Sequence, residues 1–356
     1  MAKIRVCKEC GVPLMVSKGQ TWKDNGTIVQ TKDPDHRMSF FEPEMLNGIF
    51  SRLEGILGVP IDKIVTESKG NEAKEYVEKL VPSLALKVAR HVGIDLLKDN
   101  LSRNGRALGF GDITAGDRRR KGDGDDYVTL RVRNPHSLLI LQAEMLGAWE
   151  AIDGRDSNIR YEQIGDEEYL FITSVGPHPI ELREHLKFRT YSAKPGDINY
   201  DRCSTCGIPL KVAQYRWNLD EGTITHPSTG TRVAVTGVKG IDAILDALEA
   251  ELGDAIPPAV IDAQKSHMKE SMGDYISQGE NTDYRTAIAF RGLGNLTRFE
   301  VTPARLSVTL ENACMHLMMV GMTQALFELA MHLDASTCEY ELTADGDLNL
   351  EISAPG

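Results

Sequence analysis

The chain carries its own sequence twice, and that duplication constrains its folding more than any other feature. Cys-Lys-Glu-Cys-Gly-Val-Pro-Leu at Cys7–Leu14 returns as Cys-Ser-Thr-Cys-Gly-Ile-Pro-Leu at Cys203–Leu210, an offset of 196 residues. At the same offset or one less, Trp22 matches Trp217, Gly26-Thr27-Ile28 matches Gly222-Thr223-Ile224, Arg37 matches Arg232, and Leu53-Glu54 matches Leu248-Glu249. Further on, Asn134 pairs with Asn312, Gly147 with Ala325, Trp149 with Phe327 and Glu150 with Glu328, so the first copy holds extra residues in between. Two units of this length make a duplicated domain and not a solenoid, and two similar folds can pack about a pseudo-twofold axis. We expect a first repeat over 1–196, with a knuckle at 1–40, a lobe at 41–175 and a linker at 176–196. A second repeat follows over 197–356, with its knuckle at 197–235 and its lobe at 236–356. The join falls in Gly176–Asp201, where Gly-Pro-His-Pro and Lys-Pro-Gly-Asp flank a short helical stretch from Ile180 to Leu186.

Each copy has the same order of local patterns. A Cys-x-x-Cys-Gly turn leads into short strands around Trp22 and Ile28, or Trp217 and Ile224. Met45, Leu46, Ile49, Phe50, Leu53, Ile56 and Leu57 then recur at helical spacing, with Gly58 placed as a left-handed C-cap. Ile241, Ile244, Leu245, Leu248 and Leu252 repeat this before Gly253. Alternating strands follow at Val128, Leu130 and Val132, or Leu306, Val308 and Leu310, and each runs into a long apolar helix. Hairpins close the copies, Ile159–Gln163 with Tyr169–Thr173 and Cys338–Leu342 with Leu348–Ile352. The fold class is α+β: two tandem homologous domains, each an antiparallel sheet packed with helices and preceded by a zinc-knuckle-like β element.

The 356 residues include 40 Lys and Arg against 52 Asp and Glu, and the net charge of −12 opposes attraction to nucleic acid and to anionic membrane surfaces. The most apolar stretch, Ala313 to Leu333, is broken by His316, Thr323, Gln324, Glu328 and His332, so no membrane span is expected. Lys3, Arg5, Lys8 and Glu9 surround Cys7, which is not the apolar core of a secretion signal. The expected compartment is the cytoplasm, where paired thiols serve as metal ligands or redox groups more than as structural disulfides.

A Cys-x-x-Cys-Gly turn aims two sulfurs at one point and is half of a tetrahedral zinc site. A full zinc ribbon would repeat the pair about 15–20 residues on, and neither copy does so. Cys7, Cys10, Cys203 and Cys206 brought together across the pseudo-twofold axis would supply the missing half and let one structural zinc clamp the copies. Three alternatives stay open: separate sites completed by His36 or His226, a redox dithiol, and reduced, inert thiols.

From Met315 to Met331 the second copy concentrates methionines with apolar residues on nearly all sides, as a buried helix would. Such a helix fills a core or lines an apolar pocket. The expected ligand-contacting residues are Met315, Met318, Met319, Met322 and Phe327, with Cys314 and His316 beside them. Gly109-Phe110-Gly111 and Gly292-Leu293-Gly294 lack the third glycine of a dinucleotide fingerprint and mark tight turns. Arg118–Lys121 belongs to an inserted, solvated loop. Arg37 and Arg232 are expected in buried ion pairs with Glu54 and Glu249.

The closing part of each copy resembles the 4-vinyl-reductase-like, or predicted hydrocarbon-binding, domain family. The resemblance rests on the strand, Asn and long small-residue helix of Val128–Trp149 and Val308–Phe327, and on the hairpins Ile159–Thr173 and Cys338–Ile352. It implies an α/β fold akin to haem–nitric-oxide-binding domains, holding a small apolar molecule between helices and sheet. Members often carry several cysteines there; this chain has Cys314 and Cys338, both in the second copy. The expectation is non-catalytic binding of a small apolar ligand plus a structural zinc, by a pseudo-dimeric monomer or a homodimer. The alternatives are an enzyme or assembly factor for a tetrapyrrole or aromatic compound using a redox dithiol, with haem as a secondary cofactor, and an accessory scaffold subunit.

Overall fold

The computed structural model describes residues 3–92, 95–177, 188–190, 192–276 and 284–355. The Ile180–Leu186 stretch lies outside them. In the first copy the order is α1 (Leu14–Gly19), β1 (Gln20–Trp22), β2 (Ile28–Gln30), β3 (Asp33–Phe41), α2 (Pro43–Leu57), α3 (Asp62–Leu80), α4 (Ser83–Val92), α5 (Asp95–Leu108), β4 (Asp112–Arg119), β5 (Tyr127–Arg133), α6 (Leu138–Asp153), β6 (Ser157–Gly165) and β7 (Glu168–Val175). The second copy contributes α7 (Leu210–Ala213), β8 (Arg216–Asn218), β9 (Thr223–Thr225), β10 (Arg232–Gly237), α8 (Lys239–Leu252), α9 (Ile256–Ile276), α10 (Tyr284–Phe290), β11 (Asn295–Val301), β12 (Arg305–Glu311), α11 (His316–Ala330), β13 (Thr337–Leu342) and β14 (Leu348–Ser353).

Each lobe has its own antiparallel sheet, β4-β5-β7-β6 or β11-β12-β14-β13. The leading strands of both copies instead merge into one six-stranded sheet, β1-β2-β3-β10-β9-β8. Its central pairing is symmetric: Phe41 faces Ala234, Phe40 faces Val235 and Ser39 faces Thr236. Val235 is the duplicate of Phe40, so the pseudo-twofold axis passes between them.

The leading unit of each copy sits on the other copy's lobe. α2 packs on α9, and α8 packs on α3. The recurring Gly-Thr-Ile turn meets the opposite Gly-x-Gly turn, with Gly294 N–H donating to Gly26 O (3.1 Å) and Gly111 N–H to Gly222 O (2.9 Å). Gly26 and Gly222 have φ of +73° and +65°, and a Cβ there would lie 2.0 Å from Gly294 O and 2.1 Å from Gly111 O. Only glycine fits both constraints.

Arg37 and Arg232 hold the same exchange in place. Arg37 donates to Ala313 O and Gly292 O, and Arg232 to Pro135 O, Gly109 O and Asn134 O. The expected ion pairs with Glu54 and Glu249 are therefore replaced by bonds to backbone carbonyls that the exchange would otherwise leave without donors. The basic stretch also differs from expectation: Arg118 and Arg119 end β4, and Arg119 pairs with Asp123 and Asp126 inside its own hairpin.

α2 buries Met45, Leu46, Ile49, Phe50 and Leu53 and ends on Gly58 at φ 67°, as expected, whereas Ile56 of the same stripe is exposed. α6 starts on Ser137, whose hydroxyl accepts from Ile140 N–H, and ends on Gly154 at φ 81°. No helix among the described residues is long and apolar enough to cross a membrane.

Candidate functional site

Two arrangements combine chemistry-bearing residues. The first is the cysteine cluster. Each knuckle is a tight turn in which Gly11 or Gly207 N–H donates to the carbonyl of the first cysteine, at φ of 77° and 75°. The axis brings the knuckles together, placing Cys7 Sγ 3.7 Å from Cys203 Sγ and Cys10 Sγ 3.5 Å from Cys206 Sγ. All four sulfurs lie within 4.8 Å of one another. A disulfide needs about 2.05 Å, and these cysteines are free thiols. A tetrahedron of sulfurs about 2.3 Å from a central zinc has edges near 3.8 Å, so the donor set and spacing fit a four-thiolate metal site. Backbone N–H groups of Cys10 and Glu9 hold the Cys7 thiol down at about 7, whereas burial pushes Cys10 and Cys206 up. A cation at the centre would favour all four thiolates. His36 and His226 are not part of the cluster. The two knuckles also differ: Glu9 reaches across and accepts from the hydroxyls and backbone N–H groups of Ser204 and Thr205, which holds its carboxyl down at about 2.

The second arrangement is a cavity of about 170 Å³ in the first lobe, between α3, α5 and α6 and the sheet β4-β5-β7. Its apolar body includes Phe110, Ile113, Leu130, Leu141, Met145 and Trp149. Its polar end is built by α3, α6 and the strands at the axis. α3 and α6 approach closely because Gly147 faces Gly70, where a Cβ on Gly147 would lie 2.0 Å from Gly70 O. Across that contact Lys69 Nζ pairs with Glu72 Oε2 at 2.5 Å, donates to Gly237 O at 2.7 Å, and lies 3.9 Å from Glu144 Oε1. Glu72 also accepts from Lys239 N–H, and Glu144 Oε1 from the Thr236 hydroxyl at 2.8 Å. Lys69 and Glu72 are 2% and 3% exposed, so this ion pair sits in the interior.

The remaining groups at this end are held neutral or left unsatisfied. Burial pulls His36 down, with the Glu72 charge opposing it, and pulls His136 down to about 3, helped by the Arg232 charge. Burial pushes Glu144 up to about 7 against the Lys69 charge. Glu144 Oε2 and both His136 ring nitrogens are buried with no hydrogen-bond partner, and His136 Nε2 lies 3.8 Å from Glu144 Oε2.

Met315, Met318, Met319, Met322 and Phe327 belong to one packed core cluster and none lines the first-lobe cavity. Phe41 and Met268 join them there, whereas their duplicates Thr236 and Ala73 line the first-lobe cavity. Cys314 is buried, with its thiol toward Gly292 O and Leu293 O, and burial pushes it up to about 11. His316 opens α11 beside Tyr340 and is pulled down to about 4 by burial, helped by the Arg189 charge. Cys314 and His316 do not face the cavity, and its volume suits one ring and not a tetrapyrrole.

Sequence reasoning missed Lys69, Glu72 and Glu144. The duplication held the signal: they match Gln264, His267 and Met322, whereas the ion pair Lys74–Glu150 has the duplicate Lys269–Glu328. Charges kept in both copies hold the fold; charges kept in one need another explanation.

No family model matches the chain, and no curated protein matches it. Among solved structures it is similar to the phenol-responsive sensory domain of the transcription activator PoxR, crystallised with phenol. That alignment has 12% identity and a TM-score of 0.32, over 42% of this chain and 80% of that one.

Proposed function

We propose that this chain binds a small molecule in its first lobe, and that its four knuckle cysteines hold one structural zinc that clamps the two copies together. The observation that carries the reading is the cavity itself: an apolar space with a buried polar end in the first lobe. An engineered apolar cavity of about 150 Å³ takes up benzene, so 170 Å³ matches a molecule of one ring. Desolvation of the ring drives binding and the polar end orients it. The second lobe, with its packed methionines, serves as scaffold. A closed four-sulfur site leaves the metal no open position for substrate, which makes its role structural.

The test uses toluene as a bare-ring probe on the full chain. Saturable one-site binding is expected, with a rise in Tm that follows occupancy. Met145→Trp, which fills the cavity, should keep the fold and lose the toluene response. A native chain that shows no saturable response to toluene or to any other one-ring probe would overturn the reading.

A further inference from the structure

Resting on the reading of the cavity as a ligand site, we propose that its ligand is a small organic cation: a ring-sized apolar body bearing a protonated primary amine that donates to Glu144. At the polar end two carboxylates, Glu72 and Glu144, share one side-chain ammonium, Lys69. α3 contributes Lys69 and Glu72, which pair with each other and are tied by backbone bonds to Gly237 and Lys239. β3 contributes His36, and the turn before α6 contributes His136; burial holds both uncharged. α3 also supplies Tyr76, which burial keeps as a neutral phenol. β10 brings Arg232, engaged by three carbonyls, and Lys239 at the start of α8 adds its charge near His36.

Glu144 is the carboxylate least provided for. One of its oxygens accepts from Thr236 and shares Lys69, 3.9 Å away, with Glu72; the other is buried with no hydrogen bond, 3.8 Å from the His136 ring. A buried carboxylate with only a shared counter-charge is costly and tends to take up a proton. A ligand carboxylate or phosphate would set like charge against Glu144 and Glu72. A bare hydrocarbon would leave the oxygen orphaned. An ammonium supplies both the missing donor and the missing positive charge, and Tyr76, Phe110 and Trp149, which line the same cavity, offer aromatic faces to a cation. Binding then exchanges one proton for another cation: the ligand enters as R–NH₃⁺ and the Glu144 carboxyl, where protonated, releases its proton to solvent.

Three probes of one shape separate this inference from the reading beneath it: benzylamine, benzyl alcohol and toluene, titrated into the full chain at neutral pH. Benzylamine is expected to bind at least about tenfold more tightly than either neutral probe, the size of effect a charge-assisted hydrogen bond supports. In Glu144→Gln that advantage should vanish. Calorimetry in two buffers of different ionisation heat should show proton release with benzylamine and none with toluene. This readout needs only the native chain, so it decides the matter even where the variant does not fold. If benzyl alcohol or toluene binds as tightly as benzylamine, or no proton is released, the cationic ligand is wrong and the cavity reading stands. If none of the three binds, both fall.

Discussion

At the scale of single residues, the first lobe is built around a conflict that the second lobe lacks. Lys69 and Glu72 neutralise each other in the interior, but Glu144 gains only a distant cation and burial pushes it up to about 7. Its folded value lies above its unfolded one, near 4.5, so the folded chain binds the extra proton between those limits. The stability this confers is complete below about pH 4.5 and is lost as pH rises through 7. Glu144→Gln removes the penalty without changing shape. The variant should therefore gain on the native chain by about 2–3 kcal/mol between pH 5 and pH 8. Urea unfolding of both proteins at the two pH values measures this, and a gap that does not change with pH would show that Glu144 is not desolvated. His136, pulled down to about 3, works in the opposite direction: its contribution is present above the unfolded value near 6.5 and is lost as pH falls toward 3. It is common to both proteins and cancels in the comparison.

At the scale of elements, the exchanged packing depends on two glycine turns. Gly26 and Gly222 combine positive φ with a carbonyl from the other copy where a Cβ would go, whereas Gly58 has positive φ and open space. Gly58→Ala should cost only the left-handed backbone penalty, about 1 kcal/mol. Gly26→Ala and Gly222→Ala should each cost at least about 1 kcal/mol more, because backbone must move. Equal losses at all three positions in chemical denaturation would contradict the exchanged docking. These turns were legible in the sequence because their geometry admits one residue type, so the motif survived duplication. The knuckles, the α2 cap at Gly58 and the closing hairpins were legible for the same kind of reason. The location of the cavity was not. A methionine-rich helix reads alike whether it fills a core or lines a pocket, and here it fills. Lys69 and Glu72 lie on a charge-rich helix that reads as solvated, and Glu144 is a single charge on an apolar helix distant in sequence; the close α3–α6 approach brings them together in the interior. That Arg37 and Arg232 bind carbonyls was hidden too, since their partners belong to the other copy.

At the scale of the whole molecule, the two matching segments of the chain are packed into each other. The six-stranded sheet is half from each copy, each leading helix packs on the opposite lobe, and the four sulfurs meet on the axis. A metal at the thiolates would tie together the segments that the exchange brings from opposite ends of the sequence, and metal binding of this kind adds directly to folding stability. The most direct test is native mass spectrometry of the chain purified from its own cells. The expected result is a single chain carrying one zinc and one small organic molecule, with the zinc lost in Cys7→Ser and in Cys203→Ser alike. A chain that retains no metal and takes none up when supplied with zinc, or one that holds separate metals on its two knuckles, would contradict the account.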